Sequence, residues 1–297
     1  MNDFSLDDNC VALYNLESGV LTTDSKGTNT LTNSGVGEDL VNFKQGVCSG
    51  DFDSTDYMYI DDTDLSADFP LKDGDTKKEI SVAGWVRFDV LPATNAYMCY
   101  ITKYNASARK RSFAVGVKNV SGTTNFILVT GHGAGYGALV YTHTLITVAT
   151  DVWYHFGFTV RDSDKAYKIR IYDESSGTTT ETTGTLTYNI NVEDAQFRMG
   201  LAASFDGVCH LDGLLDEIAI FNDILTSSEI DQIRGGVYTS EIQLVPDRFG
   251  TYDPDKFWDE ETKAWVASQP IEKLAGGRHK TYLVVVSDRN LVYVGGL

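Results

Sequence analysis

The residues best equipped for chemistry in this chain are its carboxylates, and their spacing argues more for structure than for catalysis. Cleaving a glycosidic bond takes two carboxyl groups flanking it, about 5–5.5 Å apart for a retaining reaction. Asp216-Glu217 is the best-placed acidic pair, inside the apolar run from Leu214 to Phe221. Neighbours on a strand point to opposite faces, so the two are not expected to act on one bond. Glu229 follows Thr226 by three positions, the spacing of a capping box, in which each side chain satisfies an orphan donor at a helix start. The five histidines, His132, His143, His155, His210 and His279, have no zinc-type spacing. The glycine-rich run from Gly131 to Gly137 lacks the Lys-Ser/Thr ending of a phosphate loop. Cys10, Cys48, Cys99 and Cys209 lie far apart in or beside apolar segments, where a thiol acts as a small hydrophobe. Buried thiols fit that placement better than disulfides, and the redox compartment stays open.

Composition narrows the partners. The chain of 297 residues carries 42 Asp and Glu against 24 Lys and Arg, a net charge of −18. Nucleic acid and anionic membrane both reward clustered cations, so neither is the expected partner. The basic run Ala108 to Arg111 reads as a solvated loop. No apolar run approaches the roughly 20 residues of a membrane-spanning helix. The first residues, MNDFSLDDNC, lack the basic and apolar regions of a signal peptide. A leader removed beforehand, or export inside a virus particle, would account for that.

The elements that must position any site are strands. Short segments rich in Val, Ile, Tyr, Phe and Thr recur between Gly, Asn, Asp and Ser clusters. Expected strands are Val11–Leu16, Tyr57–Ile60, Ile80–Val90, Ser112–Val117, Asn125–Thr130, Trp153–Val160, Tyr167–Tyr172, Phe197–Leu201 and Leu214–Phe221. In the third, Ile80, Val82, Val86 and Phe88 share one face, while Ser81, Ala83, Trp85 and Arg87 share the other. Strands with one wet face must bury the other against a second sheet. The expected fold is all-β, a two-sheet antiparallel jelly-roll sandwich over residues 1–236. Residues 237–297 form a small extension, with a short helix at Asp259–Ala267 and a hairpin of Thr281–Val286 and Asn290–Val294. A lone two-stranded ribbon is marginal in water, so the hairpin is expected to pack, pair or self-associate.

The order of these parts resembles the laminin-G-like jelly-roll domains of the concanavalin-A-like lectin and glucanase superfamily. The resemblance covers roughly residues 8–236. It rests on ALYNLESG with TTDSKG after it, FDSTDYMYI, ISVAGWVRF, WYHFGFTV, KAYKIRIYDE, FRMGLA and the closing HLDGLLDEIAIFNDILTSSEIDQI. Relatives usually write the WYHFGFTV part around Trp-His-His; Trp153-Tyr154-His155 keeps the Trp and one His. The laminarinase-like branch carries a Glu-Ile-Asp-x-x-Glu motif, and Glu229-Ile230-Asp231 lacks its second Glu and lies in the capped helical turn.

The resemblance implies a structural calcium near the opening and closing strands, a hard cation that takes oxygen ligands. Asp24 and Asp216 are the first candidates for it, Asp212 and Asn29 the next. It also implies rim loops that could meet a sugar, with an aromatic platform beside a few polar groups. His132 and Tyr136 of the glycine-rich run, Tyr104 of Lys103-Tyr104-Asn105, and Asp206 of Ser204-Phe205-Asp206 are the ligand-binding candidates. The expected role is non-enzymatic: an adhesion or structural module of a virion decoration, tail or fibre protein, or of a cell surface. Glycans would be its partners, and the extension would anchor it. A freestanding calcium-dependent lectin is the alternative, and an atypical glycan hydrolase or lyase comes third.

Overall fold

A computed structural model describes residues 2–106, 108–133, 137–202 and 209–239, together with the backbone of four strands beyond Ser240. The chain forms two compact units, Met1–Thr239 and Ser240–Leu297. The first unit is a sandwich of two antiparallel sheets. In the eight-stranded sheet the order is Thr178–Thr185, Ala166–Asp173, Trp153–Arg161, Glu79–Phe88, Gly213–Phe221, Ser49–Phe52 and Gly37–Asp39, with Cys10–Tyr14 also paired to Gly213–Phe221. In the seven-stranded sheet it is Gly137–His143, Thr123–His132, Lys110–Val120, Tyr97–Asn105, Phe197–Met199, Tyr57–Ile60 and Thr32–Ser34.

Alternation builds the core between them. Ile80, Val82, Val86 and Phe88 enter it, as the period-two pattern predicts, and meet Phe156, Phe158 and Val160 from the neighbouring strand. Across the gap, the rings of Phe88, Tyr100, Phe126 and Tyr154 contact one another at 5.3–6.4 Å between centroids. Each such ring contributes about 1.5–3 kcal/mol by burial. The turn Ser121-Gly122 joins two strands of the second sheet with both residues at positive φ, the geometry that suits right-twisted hairpins.

The outer face of the eight-stranded sheet is not as wet as its polar residues suggest. The helix Ser227–Arg234 lies on it, burying Ile230 and Ile233 against Ala83, Ala219 and Phe221. Gly157 makes room: a Cβ there would come within 2.6 Å of the Ile230 side chain. Lys168 and Arg170, alternating with the buried Ile169 and Ile171, hold the helix through Ser227 Oγ (3.0 Å) and Asp231 Oδ2 (2.6 Å). Thr226 caps the helix, its hydroxyl accepting the Glu229 amide while Glu229 accepts the Thr226 amide. Replacing Thr226 by alanine should cost about 1 kcal/mol in a urea titration, without changing the midpoint slope.

In the second unit the expected helix at Asp259–Ala267 is corrected. Lys256–Asp259 pairs instead with Ala264–Ala267, placing Trp258 opposite Trp265 in register. Aromatic and β-branched residues on both sides of the short polar sequence between them favour a ribbon over a helix. The expected C-terminal hairpin forms as Leu283–Ser287 paired with Asn290–Val294. No described helix is long and apolar enough to cross a membrane.

A polar cleft at the end of the seven-stranded sheet

Several strands of the seven-stranded sheet begin or end together at one end. Tyr97–Asn105 ends there, Lys110–Val120 and Phe197–Met199 begin there, and Thr123–His132 ends there. Residues 186–196, without regular structure, run along this end. They are tied to it by Asn191 N donating to Gly131 O (3.0 Å) and Glu193 N donating to Ser112 Oγ (3.0 Å). The result is a polar cleft of about 170 Å³, lined by Tyr104, Asn105, Ala108, Lys110, Asp194, Ala195, Gln196 and Arg198.

Each lining group is placed by its neighbours. Phe197 and Met199 enter the core, so Arg198 between them must face outward. Its guanidinium donates to Gln196 Oε1 (2.9 Å) and lies over the Tyr57 ring at 5.5 Å. Partial burial pulls the Arg198 pKa down, and no described carboxylate forms an ion pair with it. Lys110 Nζ pairs with Asp194 Oδ2 at 2.6 Å, and that bond raises the Lys110 pKa and lowers that of Asp194. Asp194 is thus held ionised, ready to accept hydrogen bonds from hydroxyls and unsuited to act as a general acid. Arg111 covers the Tyr104 ring at 5.7 Å, and burial pushes the Tyr104 phenol up to about 12. The basic run Ala108–Arg111, read from sequence as a solvated loop, therefore forms one wall of the cleft.

Tyr104, of the ligand-binding candidates, reaches the cleft as a buried wall, with Asn105 beside it. His132 lies further along the rim. Its ring stacks on Tyr188 at 4.3 Å with an interplanar angle of 14°, and Tyr188 is 53% exposed. Arg111 bridges the two regions, because its backbone abuts Gly131 so closely that a Cβ there would lie 1.7 Å from Arg111 O. Tyr136 and Asp206 lie outside the described residues. Sequence reasoning passed over Tyr188, Asp194, Gln196 and Arg198. Only Arg198 carried a signal, as a charged residue alternating with core residues.

The metal candidates fall in different surroundings. The Asp24 carboxylate accepts five hydrogen bonds, from the amides of Leu13, Lys26, Gly27 and Asn29 and from Asn29 Nδ2, at 2.9–3.1 Å. A cation at Asp24 would have to displace those amides. Asn29 is likewise engaged, donating to Val11 O and accepting from the Ser66 amide. Asp212 sits at the turn before the closing strand, where its carbonyl accepts from the Asp89 amide. Asp216 differs from all of these. It is fully buried, its Oδ2 accepts the amides of Lys44 (2.6 Å) and Gln45 (3.1 Å), and its Oδ1 has no hydrogen-bond partner among the described residues. Glu17 grips the same loop through the Val47 amide at 3.0 Å.

Burial raises the Asp216 pKa to about 7 and that of Glu217 to about 8, with Asp216 and Glu17 adding repulsion at Glu217. The alternation expected of this pair is broken. Glu217 has φ 53° in a bulge, so the register with the neighbouring strand skips from Asp216 to Ala219. Among the described residues no group of three His, Cys, Asp or Glu is placed to hold a metal. A hard cation at Asp216 would therefore draw most of its oxygens from backbone carbonyls and water, and the bare Oδ1 of Asp216 fits such a role.

Other residues singled out by sequence are structural. Glu229 caps the helix, and Asp231 binds Arg170. His155 stands in a row with Asp216, Trp85 and Tyr172 across the eight-stranded sheet, edge-on to Trp85 at 5.1 Å. Burial lowers its pKa to about 3, helped by Arg234 and Arg170.

A family model described as the concanavalin A-like lectin/glucanases superfamily matches residues 52–231. No curated protein sequence matches the chain. Among solved structures, one of botulinum neurotoxin type C, whose cell entry is described as dependent on two ganglioside molecules, aligns at a TM-score of 0.51. It is 11% identical over 79% of this chain and 53% of that one. The enzymatically active domain of tailspike protein 2 from bacteriophage CBA120 aligns at 0.49 and 11% identity, over 79% of this chain and 35% of that one. A sialidase carbohydrate-binding module from Ruminococcus gnavus, bound to α2,3-sialyllactose, aligns at 0.40 and 11% identity, over 55% of this chain and 84% of that one. The chain thus spans about a third of the length of the tailspike chain.

Proposed function

Because the chain belongs to the concanavalin A-like lectin/glucanases superfamily, we propose that it is a non-enzymatic glycan-binding module serving adhesion in an external assembly, either a virion part or a cell-surface protein. The observation that carries this reading is the cleft itself. In a chain of net charge −18, two cations, two side-chain amides and an ionised Asp194 gather at one sheet end beside an exposed Tyr188. Sugar hydroxyls are recognised by such a mixture of fixed donors and acceptors, and a sugar face stacks on an aromatic ring. The neurotoxin that shares the fold is described as dependent on gangliosides, which accords with a glycan partner. The extension Ser240–Leu297, a separate compact unit whose described strands pair as two ribbons, would supply the attachment, since strand edges pair readily with another chain.

A glycan array probed with the full chain tests the proposal, together with assays for new reducing ends and unsaturated products on the same glycans. Binding without turnover is expected. Arg198→Ala should weaken binding about tenfold or more, the effect of losing one charge-assisted hydrogen bond. Turnover of a bound glycan would contradict the non-enzymatic reading. Light scattering of the full chain and of residues 1–239 addresses attachment, with an oligomer reverting to a monomer on truncation as the expected result.

A second reading, a calcium-dependent lectin that acts alone, is favoured by the bare Oδ1 of buried Asp216. It keeps the same cleft and assigns the cation a structural role at the Glu17–Asp216 loop.

A further inference from the structure

None of the four cysteines is in a disulfide, and all four are buried. Two of them share one site. Cys99 stands on the outward face of the seven-stranded sheet, in an apolar cluster with Tyr104, Ala114, Ile127 and Val129. Cys209 belongs to the same cluster, although it lies 110 residues further along the chain. The short strand Cys209–His210 pairs with Leu201–Ala202, which is fastened to Tyr97–Asn105 by Thr102 Oγ1 donating to Leu201 O (2.7 Å). Gly200 N donating to Tyr100 O (2.8 Å) and Leu211 N donating to Gly200 O (2.8 Å) complete the attachment. Cys209 lies close enough to Cys99 to act on its thiol as a hydrogen-bond partner. Cys10 and Cys48 lie elsewhere, Cys10 under the helix with Phe4 and Phe221, and Cys48 in the main core.

We propose that Cys99 and Cys209 form a disulfide in an oxidising medium, stapling the Cys209–His210 strand to the Tyr97–Asn105 strand. The oxidant is a small-molecule disulfide such as oxidised glutathione. The thiolate of one cysteine attacks a sulfur of the oxidant and expels one small thiolate, leaving a mixed disulfide. The second cysteine's thiolate attacks the protein sulfur of that bond and expels the second small thiolate. The two protein thiols are oxidised, the oxidant is reduced to two thiols, and the two protons end on those thiols. The interaction with Cys209, and then burial, hold the Cys99 pKa well above that of an exposed thiol, so little thiolate forms in the closed state. The bond therefore forms slowly in the folded protein and readily during folding, and once formed it is structural. The Tyr97–Asn105 strand ends at the cleft wall, so the staple stiffens the side of the sheet that carries Tyr104 and Asn105.

The full chain is unfolded in denaturant, where every thiol is accessible, and refolded in a glutathione redox buffer. Remaining thiols are alkylated, and peptides are mapped by mass spectrometry without reduction. The expected result is a linked Cys99–Cys209 peptide, two alkylated thiols at Cys10 and Cys48, and a Tm roughly 5–10 °C above that of the reduced protein. Cys209→Ser should show no link and no rise. Four alkylated thiols, a link involving Cys10 or Cys48, single glutathione adducts, or a Cys99–Cys209 link without a rise in Tm would each overturn the proposal. None of these outcomes depends on glycan binding.

Discussion

Replacing Asp62 by alanine is expected to destabilise the sandwich by about 3–5 kcal/mol, the cost of leaving a buried charge without its partner. The Lys103 side chain is fully buried, and its Nζ lies 2.5 Å from Asp62 Oδ1 and also donates to the Glu193 carbonyl. Burial pulls the Lys103 pKa down and Asp62 holds it up. Without Asp62 the folded-state pKa falls further below the unfolded value. The sign follows: stability is then highest where lysine is neutral in both states and declines as pH falls through the folded pKa. The deficit in a urea titration should therefore shrink at alkaline pH, and Lys103→Met should restore part of it in the double variant. A loss under about 1 kcal/mol would mean that the pair behaves like an exposed one. The pair also bears on the cleft. It fixes Glu193, the neighbour of Asp194, to the residue preceding Tyr104, so Asp62→Ala should loosen both walls.

The second large effect concerns Asp216. In metal-free buffer a carboxyl raised from 3.8 to about 7 favours the folded state most when protonated. Its contribution is fully present below its unfolded pKa and is lost as pH rises through 7, and Glu217, raised to about 8, acts in the same direction. For Asp216 the swing is on the order of 4 kcal/mol. His143 and His155 act oppositely, because their folded pKa values are lowered to about 4 and about 3, but their contribution is complete once pH exceeds roughly 6.5. Between roughly pH 6.5 and 8 the metal-free protein should therefore lose stability, and Asp216→Asn should flatten that slope. Calcium should raise the Tm of the wild type at pH near 8 and release protons on binding at pH near 6, and should do neither in Asp216→Asn. A flat metal-free profile, or an equal calcium effect in both proteins, would contradict this account of Asp216.

Strands with strong apolar alternation were legible. Tyr57–Ile60 is found as read, and the two faces of Glu79–Phe88 sort as the spacing of Ile80, Val82, Val86 and Phe88 requires. Of the strands that escaped notice, three did so for plain physical reasons. Thr178–Thr185 is almost all threonine and glycine on a sheet edge, so it contributes no apolar period. Gly137–His143 is the opposite edge strand, half-buried along most of its length. Tyr97–Asn105 carries a bulge at Cys99–Ile101 that breaks its alternation. His143 joins the two edge strands, its ring nitrogens 2.9 and 2.8 Å from the hydroxyls of Thr182 and Thr180, a contact between strands that local patterns do not encode.

The site was legible in one wall only. The segment Lys103-Tyr104-Asn105 stood out as a candidate rim loop, although the strand that ends there went unread. Asp194 and Gln196 lie in a stretch without regular structure, and Asp194 meets Lys110 across 84 residues of sequence. Asp24 and Asp216 look alike as acidic residues near turns. Only the count of amides around each separates a carboxylate already satisfied by backbone from one with a bare oxygen.

The most direct test of a glycan site in the cleft is chemical-shift mapping of the full chain with the tightest-binding glycan of the array. The account predicts that the perturbed resonances cluster at Asn105, Lys110, Gln196 and Arg198 and extend to Tyr188, and that Arg198→Ala moves the titration to about tenfold or more higher glycan. Perturbations centred on the opposite sheet, around Trp85 and Asp216, or a titration midpoint unchanged in Arg198→Ala, would contradict it.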